Sequence, residues 1–142
     1  MFSLKDFIFA KPNDASHLEI HSLLNQLSSF SSPDSAKSFS HFLSQANVYA
    51  IACYYQSNIV GFGFISVTCM PRGGFLGTIH EVIVHQSYRG SGIGAQIVKE
   101  LLDVAKNQFS CFKVELSCSS TNVKFYSRLG FESDGNFLFL KL

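Results

Sequence analysis

Apolar residues follow helical spacing in some parts of this chain and strand spacing in others. Leu18, Leu23, Leu24 and Leu27 recur at helical intervals after Pro12, with Asn13 or Asp14 as the cap. Phe39, Phe42 and Leu43 form a second helical stripe behind Ser32 and Pro33, where proline suits a first turn. Residues 3–10 read as a first strand. Residues 47–56 and 59–69 are rich in β-branched and aromatic side chains, and Ser57 with Asn58 between them predicts a hairpin. Pro71, Arg72, Gly73 and Gly74 then make a loop. Residues 77–85 are apolar on both faces, as in a strand buried centrally in a sheet. A helix carrying Ile97, Val98, Leu101, Leu102 and Val104 runs to about Lys106, followed by a strand at 112–118, a short helix at 121–129 and a last strand at 136–142. Gly130 takes the left-handed position that ends a helix, and Phe131 can fold back on its final turn. The order β-α-α-β-β-β-α-β-α-β predicts one α/β domain, residues 1–142, with a mixed sheet.

Composition narrows the function classes. With 142 residues, 46% of them hydrophobic, 15 Phe and only 15% charged, the chain buries a sizeable core and has no room for a separate substrate domain. A net charge of +1 supplies no broad basic field, so neither nucleic acid nor an anionic membrane is an expected partner. Cys53, Cys69, Cys111 and Cys118 form no Cys-x-x-Cys pair, which fits reduced thiols in the cytoplasm rather than zinc or redox chemistry. The first residues lack a secretory signature, and no apolar run reaches the ~18 residues of a membrane span. His17 and His21 stand one turn apart without a third ligand in view, so no metal is expected.

The candidate chemistry lies at residues 88–95, Tyr-Arg-Gly-Ser-Gly-Ile-Gly-Ala, between a β-branched run and a helix. Gly90, Gly92 and Gly94 let the backbone approach a ligand closely. The helix behind them offers unpaired N–H groups and the positive end of its dipole, a cradle for phosphate or pyrophosphate. Arg89 adds a charge-assisted donor. A P-loop would need Lys-Ser/Thr after its last glycine, where this chain has Ala95 and Gln96. Gly90, Gly92 and Ala95 match a dinucleotide fingerprint, with Glu115 ~20 residues on. His85 to Arg89 intervene between strand and glycines, however, and too little chain follows for a second half of that fold.

Arg89, Gly92 and Gly94 opening a helix, followed by Asn122, Phe125, Tyr126, Leu129, Gly130 and Phe131, resemble the two acetyl-CoA signatures of the GNAT superfamily of N-acyltransferases. Within it, residues 111–131 are similar to the glucosamine-6-phosphate N-acetyltransferase branch. The resemblance implies a GNAT-type mixed sheet with central strands splayed at the coenzyme site, acetyl-CoA as co-substrate, no metal, and a homodimer. It also implies direct transfer of the acetyl group to a primary amine of a small molecule. That acceptor is glucosamine 6-phosphate or another amine, such as a polyamine, an aminoglycoside or a peptide amine; the competing class is an acyl-CoA-binding module without turnover.

By the same resemblance, the backbone of Val82, Ile83 and Val84 pairs with the pantetheine arm, and Arg89, Gly90, Ser91, Gly92, Ile93, Gly94 and Ala95 surround the pyrophosphate. Asn122 and Phe125 border the coenzyme, and Tyr126 protonates the departing thiolate. The base is Glu81, His80, less favourably His85, or a water activated by backbone carbonyls. Strand alternation sets His80 and Glu81 on opposite faces, so only one of them meets the acceptor, and Glu81 is preferred. Arg72 would meet a phosphate on the acceptor, with Ser117 and Glu81 near its amine. The branch has Glu-Asp where this chain has His80 and Glu81, and Leu-Asp-Cys where it has Leu116, Ser117 and Cys118. Fold alone does not fix the acceptor.

Overall fold

Five strands in the order β1-β2-β3-β4-β5 form one sheet in a computed structural model that describes residues 1–27, 35–136 and 138–142. β1 (Ile8–Ala10), β2 (Val48–Tyr55), β3 (Asn58–Cys69) and β4 (Phe75–Val84) pair antiparallel in sequence, and β5 (Cys111–Glu115) joins β4 in parallel. The parallel crossover is α3 (Ile93–Asn107), which covers one face; α1 (His17–Leu24) and α2 (Ser35–Ser44) cover the other. A short α4 (Val123–Ser127) follows β5.

Glycine sets how closely α3 approaches the sheet. A Cβ on Gly61 would lie 2.9 Å from Ile93 Cγ2, and one on Gly63 would lie 2.9 Å from Ile97 Cγ2. Ile97, Val98 and Leu101 therefore seat against Ile51, Cys53, Ile65 and Ile79, each at most 4% exposed. Each such side chain contributes about 1.5–3 kcal/mol by leaving water. On the other face Ile20 and Leu23 of α1 pack on Phe62 and Ile83, while Phe39 and Phe42 of α2 remain half-buried.

Several element boundaries differ from the pattern-based reading. Residues 4–6 form a 3-10 turn instead of a strand: the Ser3 N–H donates to Asp6 Oδ2 at 2.8 Å and the Lys5 N–H to Ser3 Oγ at 3.4 Å, a local box that competes with pairing. The hairpin turns on Gln56 and Ser57, both in the left-handed region at φ 48° and 69°, so Asn58 already belongs to β3. α1 ends at Leu24, short of Leu27. The proposed helix start at Ser32 and Pro33 lies outside the described residues. β4 begins at Phe75, two residues early, and β5 ends at Glu115, three short of the expected strand. The strand expected at 136–142 is not formed: among the described residues there none lies in a strand, and Leu138 and Leu140 are each 83% exposed. Apolar residues confer strand propensity, but a strand exists only where a neighbour supplies the ladder.

Candidate active site

The glycine run leads directly into the N-terminus of α3, where the candidate cradle was expected. Gly90 (φ 81°) and Gly92 (φ 88°) hold left-handed conformations that side chains disfavour, and Gly92 caps α3. The first helical hydrogen bond runs from the Gln96 N–H to the Gly92 carbonyl at 3.0 Å. The N–H groups of Ile93, Gly94 and Ala95 thus point out of the helix end without a helical acceptor. The Ile93 side chain is itself buried, so its contribution to the cradle is its amide. Ser91 Oγ donates to the Tyr88 carbonyl, which fixes the loop from within. Arg89 Nε donates to the Val84 carbonyl at 3.1 Å and its terminal nitrogen to Gln26 Oε1 at 3.4 Å, tying the cradle to the chain just beyond α1.

β4 carries this cradle at the end of an open edge. Its pairing with β5 spans only Phe75 to Thr78, opposite Cys111 to Glu115. Beyond Thr78 the strand keeps β3 alone, and six residues, Ile79 to Val84, present about 20 Å of backbone without a ladder partner on the β5 side. Val82, Ile83 and Val84 lie along this edge. Ile83 itself packs into the α1 face and Val82 and Val84 into the α3 face.

A bulge re-aims the two candidate bases. Phe62 pairs with Ile83 and Phe64 with His80, so Glu81 and Val82 together oppose Gly63, and Glu81 sits at φ 51°. Alternation is reset there. His80 stacks on Phe64, with ring centroids 4.8 Å apart, and its Nε2 lies 2.9 Å from Ser66 Oγ; Glu81 lines a cleft with Phe62 and Phe64. The expectation that His80 and Glu81 take opposite faces is therefore wrong, because both face α1 and α2. Glu81 is an exposed residue that opens onto the cleft, and the partial desolvation of its carboxyl raises it above its ordinary value. Burial lowers the His80 imidazole, leaving it neutral at pH 7.

That cleft, about 280 Å³, runs between α1 (His17, Ile20, His21, Leu24), α2 (Ser35, Ser38, Phe39, Phe42) and the sheet. The aromatic stripe of α2 was visible in the sequence, but a stripe does not show which side chains stop short of full burial. On the other side of the opened edge, Phe125 lies over Gly94, where a Cβ would meet its ring at 3.4 Å. Tyr126 is half-buried against Phe125 and Phe131; desolvation, then the nearby Cys118, raises its phenol, which stays protonated at neutral pH. Asn122 and Ser117 are both exposed. Arg72 sits in the Met70–Gly74 turn, before the start of β4 and about 20 Å of strand away from Glu81, and does not line the cleft.

A family model described as the acetyltransferase (GNAT) family matches residues 14–131, well over half of the chain. The chain belongs to the GNAT acetyltransferase family. A glucosamine 6-phosphate N-acetyltransferase of Candida albicans is 29% identical over 126 residues, which cover 86% of this chain and 84% of that protein. Glucosamine 6-phosphate N-acetyltransferase 1 of Dictyostelium discoideum is 35% identical over 72 residues, 51% of this chain. The match spans only 45% of that relative's own length. The crystal structure of glucosamine-6-phosphate N-acetyltransferase from Arabidopsis thaliana superposes with a TM-score of 0.87 at 23% identity, covering 95% of this chain and 97% of that one, a likeness of fold. In this GNAT chain four free cysteines are present, and burial pushes the Cys53 thiol up to about 12. Among the described residues no helix is long and apolar enough to cross a membrane, and no group of three acidic, His or Cys side chains could hold a metal.

Proposed function

We propose that this GNAT domain is an acetyl-CoA-dependent N-acetyltransferase acting on a primary amine of a small molecule. One observation carries the reading: an unpaired β4 edge runs from the Glu81 bulge, beside a cleft, to an amide cradle at the α3 N-terminus. The residues fit the coenzyme. A Cβ at the left-handed Gly90 would meet nothing within 4 Å, which leaves room for a diphosphate beside the α3 N-terminus, and the open edge offers a ladder to an amide-bearing arm. When bound, acetyl-CoA supplies the acetyl thioester. The amides of Ile93, Gly94 and Ala95 hold the diphosphate, and an N–H among Val82, Ile83 and Val84 faces the carbonyl oxygen where charge develops. Glu81 takes the proton of the acceptor ammonium; desolvation raises its carboxyl above the ordinary value, which makes it a stronger base. Tyr126 holds a proton at Oη for the departing sulfur.

The names of the relatives make glucosamine 6-phosphate the first acceptor to test, followed by polyamines, aminoglycosides and peptide amines. The reading includes a cytoplasmic location and a homodimer, in which a second copy would cover the exposed Leu138, Leu140 and Leu142. Acetyl-CoA should raise the melting temperature, and Tyr126→Phe should lose CoA release with an amine while keeping that rise. A melting temperature unmoved by the coenzyme overturns the reading. Binding without turnover of any amine would make the domain an acyl-CoA-binding module.

A further inference from the structure

Resting on the acetyl-transfer reading, we infer that the acceptor seated in the cleft is a primary amine on an apolar, ring-sized body rather than a phosphorylated sugar. The walls are made by the rings of Phe39, Phe42, Phe62 and Phe64 with Ile20 and Leu24, and about 280 Å³ is at the small end of ligand sites. Phe42 meets Phe64 edge-on at 4.7 Å and Phe39 at 6.0 Å, a surface suited to another ring. Glu81 is the carboxylate among the described lining residues, so charge complementarity selects an ammonium at that end.

A phosphate finds no lysine or arginine among the described residues of the cleft, and the sequence has none between Lys11 and Lys37. Ser35, Ser38, Phe39 and Phe42 share the cleft side of α2 at helical spacing, and Lys37 falls on another side. His17 Nε2 already lies 3.1 Å from Ser35 Oγ, and its ring packs on His21 and Phe39. Arg89 is bonded at Val84 and Gln26, and Arg72 lies at the far end of β4. Among the described lining residues sugar hydroxyls have only His17, His21, Ser35, Ser38 and Glu81 to pair with, and His17 and Ser35 already bond each other; leaving hydroxyls unpaired against the aromatic wall is unfavourable.

The test measures CoA release from acetyl-CoA with phenethylamine, spermidine and glucosamine 6-phosphate, alongside the melting shift given by acetyl-CoA. Phenethylamine should show a kcat/KM at least about tenfold above the other two. Phe42→Ala should raise its KM about tenfold and leave the coenzyme shift intact, and Phe42→Leu, which keeps the wall apolar, should raise KM less than about threefold. Preference for glucosamine 6-phosphate or spermidine, or a phenethylamine KM indifferent to both substitutions, overturns the inference while acetyl transfer stands. Absence of both coenzyme shift and CoA release overturns the acetyl-transfer reading itself.

Discussion

Against α3 the sheet presents Ile51, Cys53, Ile65 and Ile79, and the helix answers with Ile97, Val98 and Leu101, all at most 4% exposed. Against α1 and α2 it presents Phe62 and Ile83, well buried, but also Phe64 and His80, which are only half-buried, and a cleft remains. The first face is filled because Gly61 and Gly63 let a long helix settle into contact. The second is held open by two short helices and by a bulge that turns Glu81 into the gap. One side of the sheet thus holds α3 firmly in place, and the other leaves a cleft of about 280 Å³.

Substitutions on each face can break this contrast. Glu81→Gln should lower kcat/KM with an amine about 10³-fold. The wild-type rate should climb as pH rises through a carboxyl value above the ordinary range, because only the ionised form accepts a proton; the variant should lose that acid limb. Its melting temperature at pH 8 should stay level or rise, since folding disfavours the ionised carboxylate that the substitution removes. A variant with full activity would reduce the bulge to a structural feature. On the filled face Leu101→Ala should cost about 3 kcal/mol in chemical denaturation, against about 1 kcal/mol for Leu24→Ala beside the cleft. Equal losses would show both faces packed alike. Tyr126→Phe should lower kcat about 10²-fold with coenzyme affinity unchanged, which a coupled thiol assay and calorimetry can separate. Smallest is Gly92→Ala: at φ 88° the added Cβ is strained, and acetyl-CoA affinity should fall about tenfold by titration calorimetry.

Much of the α3 side was legible along the chain. The glycine run and the helical stripe behind it placed the start of α3 from spacing, whereas the role of the β4 edge came only from the family resemblance. The bulge was not legible, because Glu81 takes a conformation that glycine normally marks, and the register with Gly63 is a property of two strands together. The retreat of β5 at Glu115 has the same origin: Leu116, Ser117 and Cys118 continue the strand-like pattern, but β4 has no pairing for them. Leu138, Leu140 and Leu142 show the converse, a strand-like pattern without a ladder. The cleft depended on how far Phe39 and Phe42 fall short of burial, a matter of helix placement rather than of periodicity.

The opened edge of β4 is β-branched along much of its length, with Ile79, Val82, Ile83 and Val84, and carries no proline to blunt it. Deprived of a bound guest, such a ribbon is a template on which another polypeptide can lay down its own backbone. Purified protein stored without coenzyme should therefore clump with time, and light scattering from stocks kept with and without acetyl-CoA would record the protection.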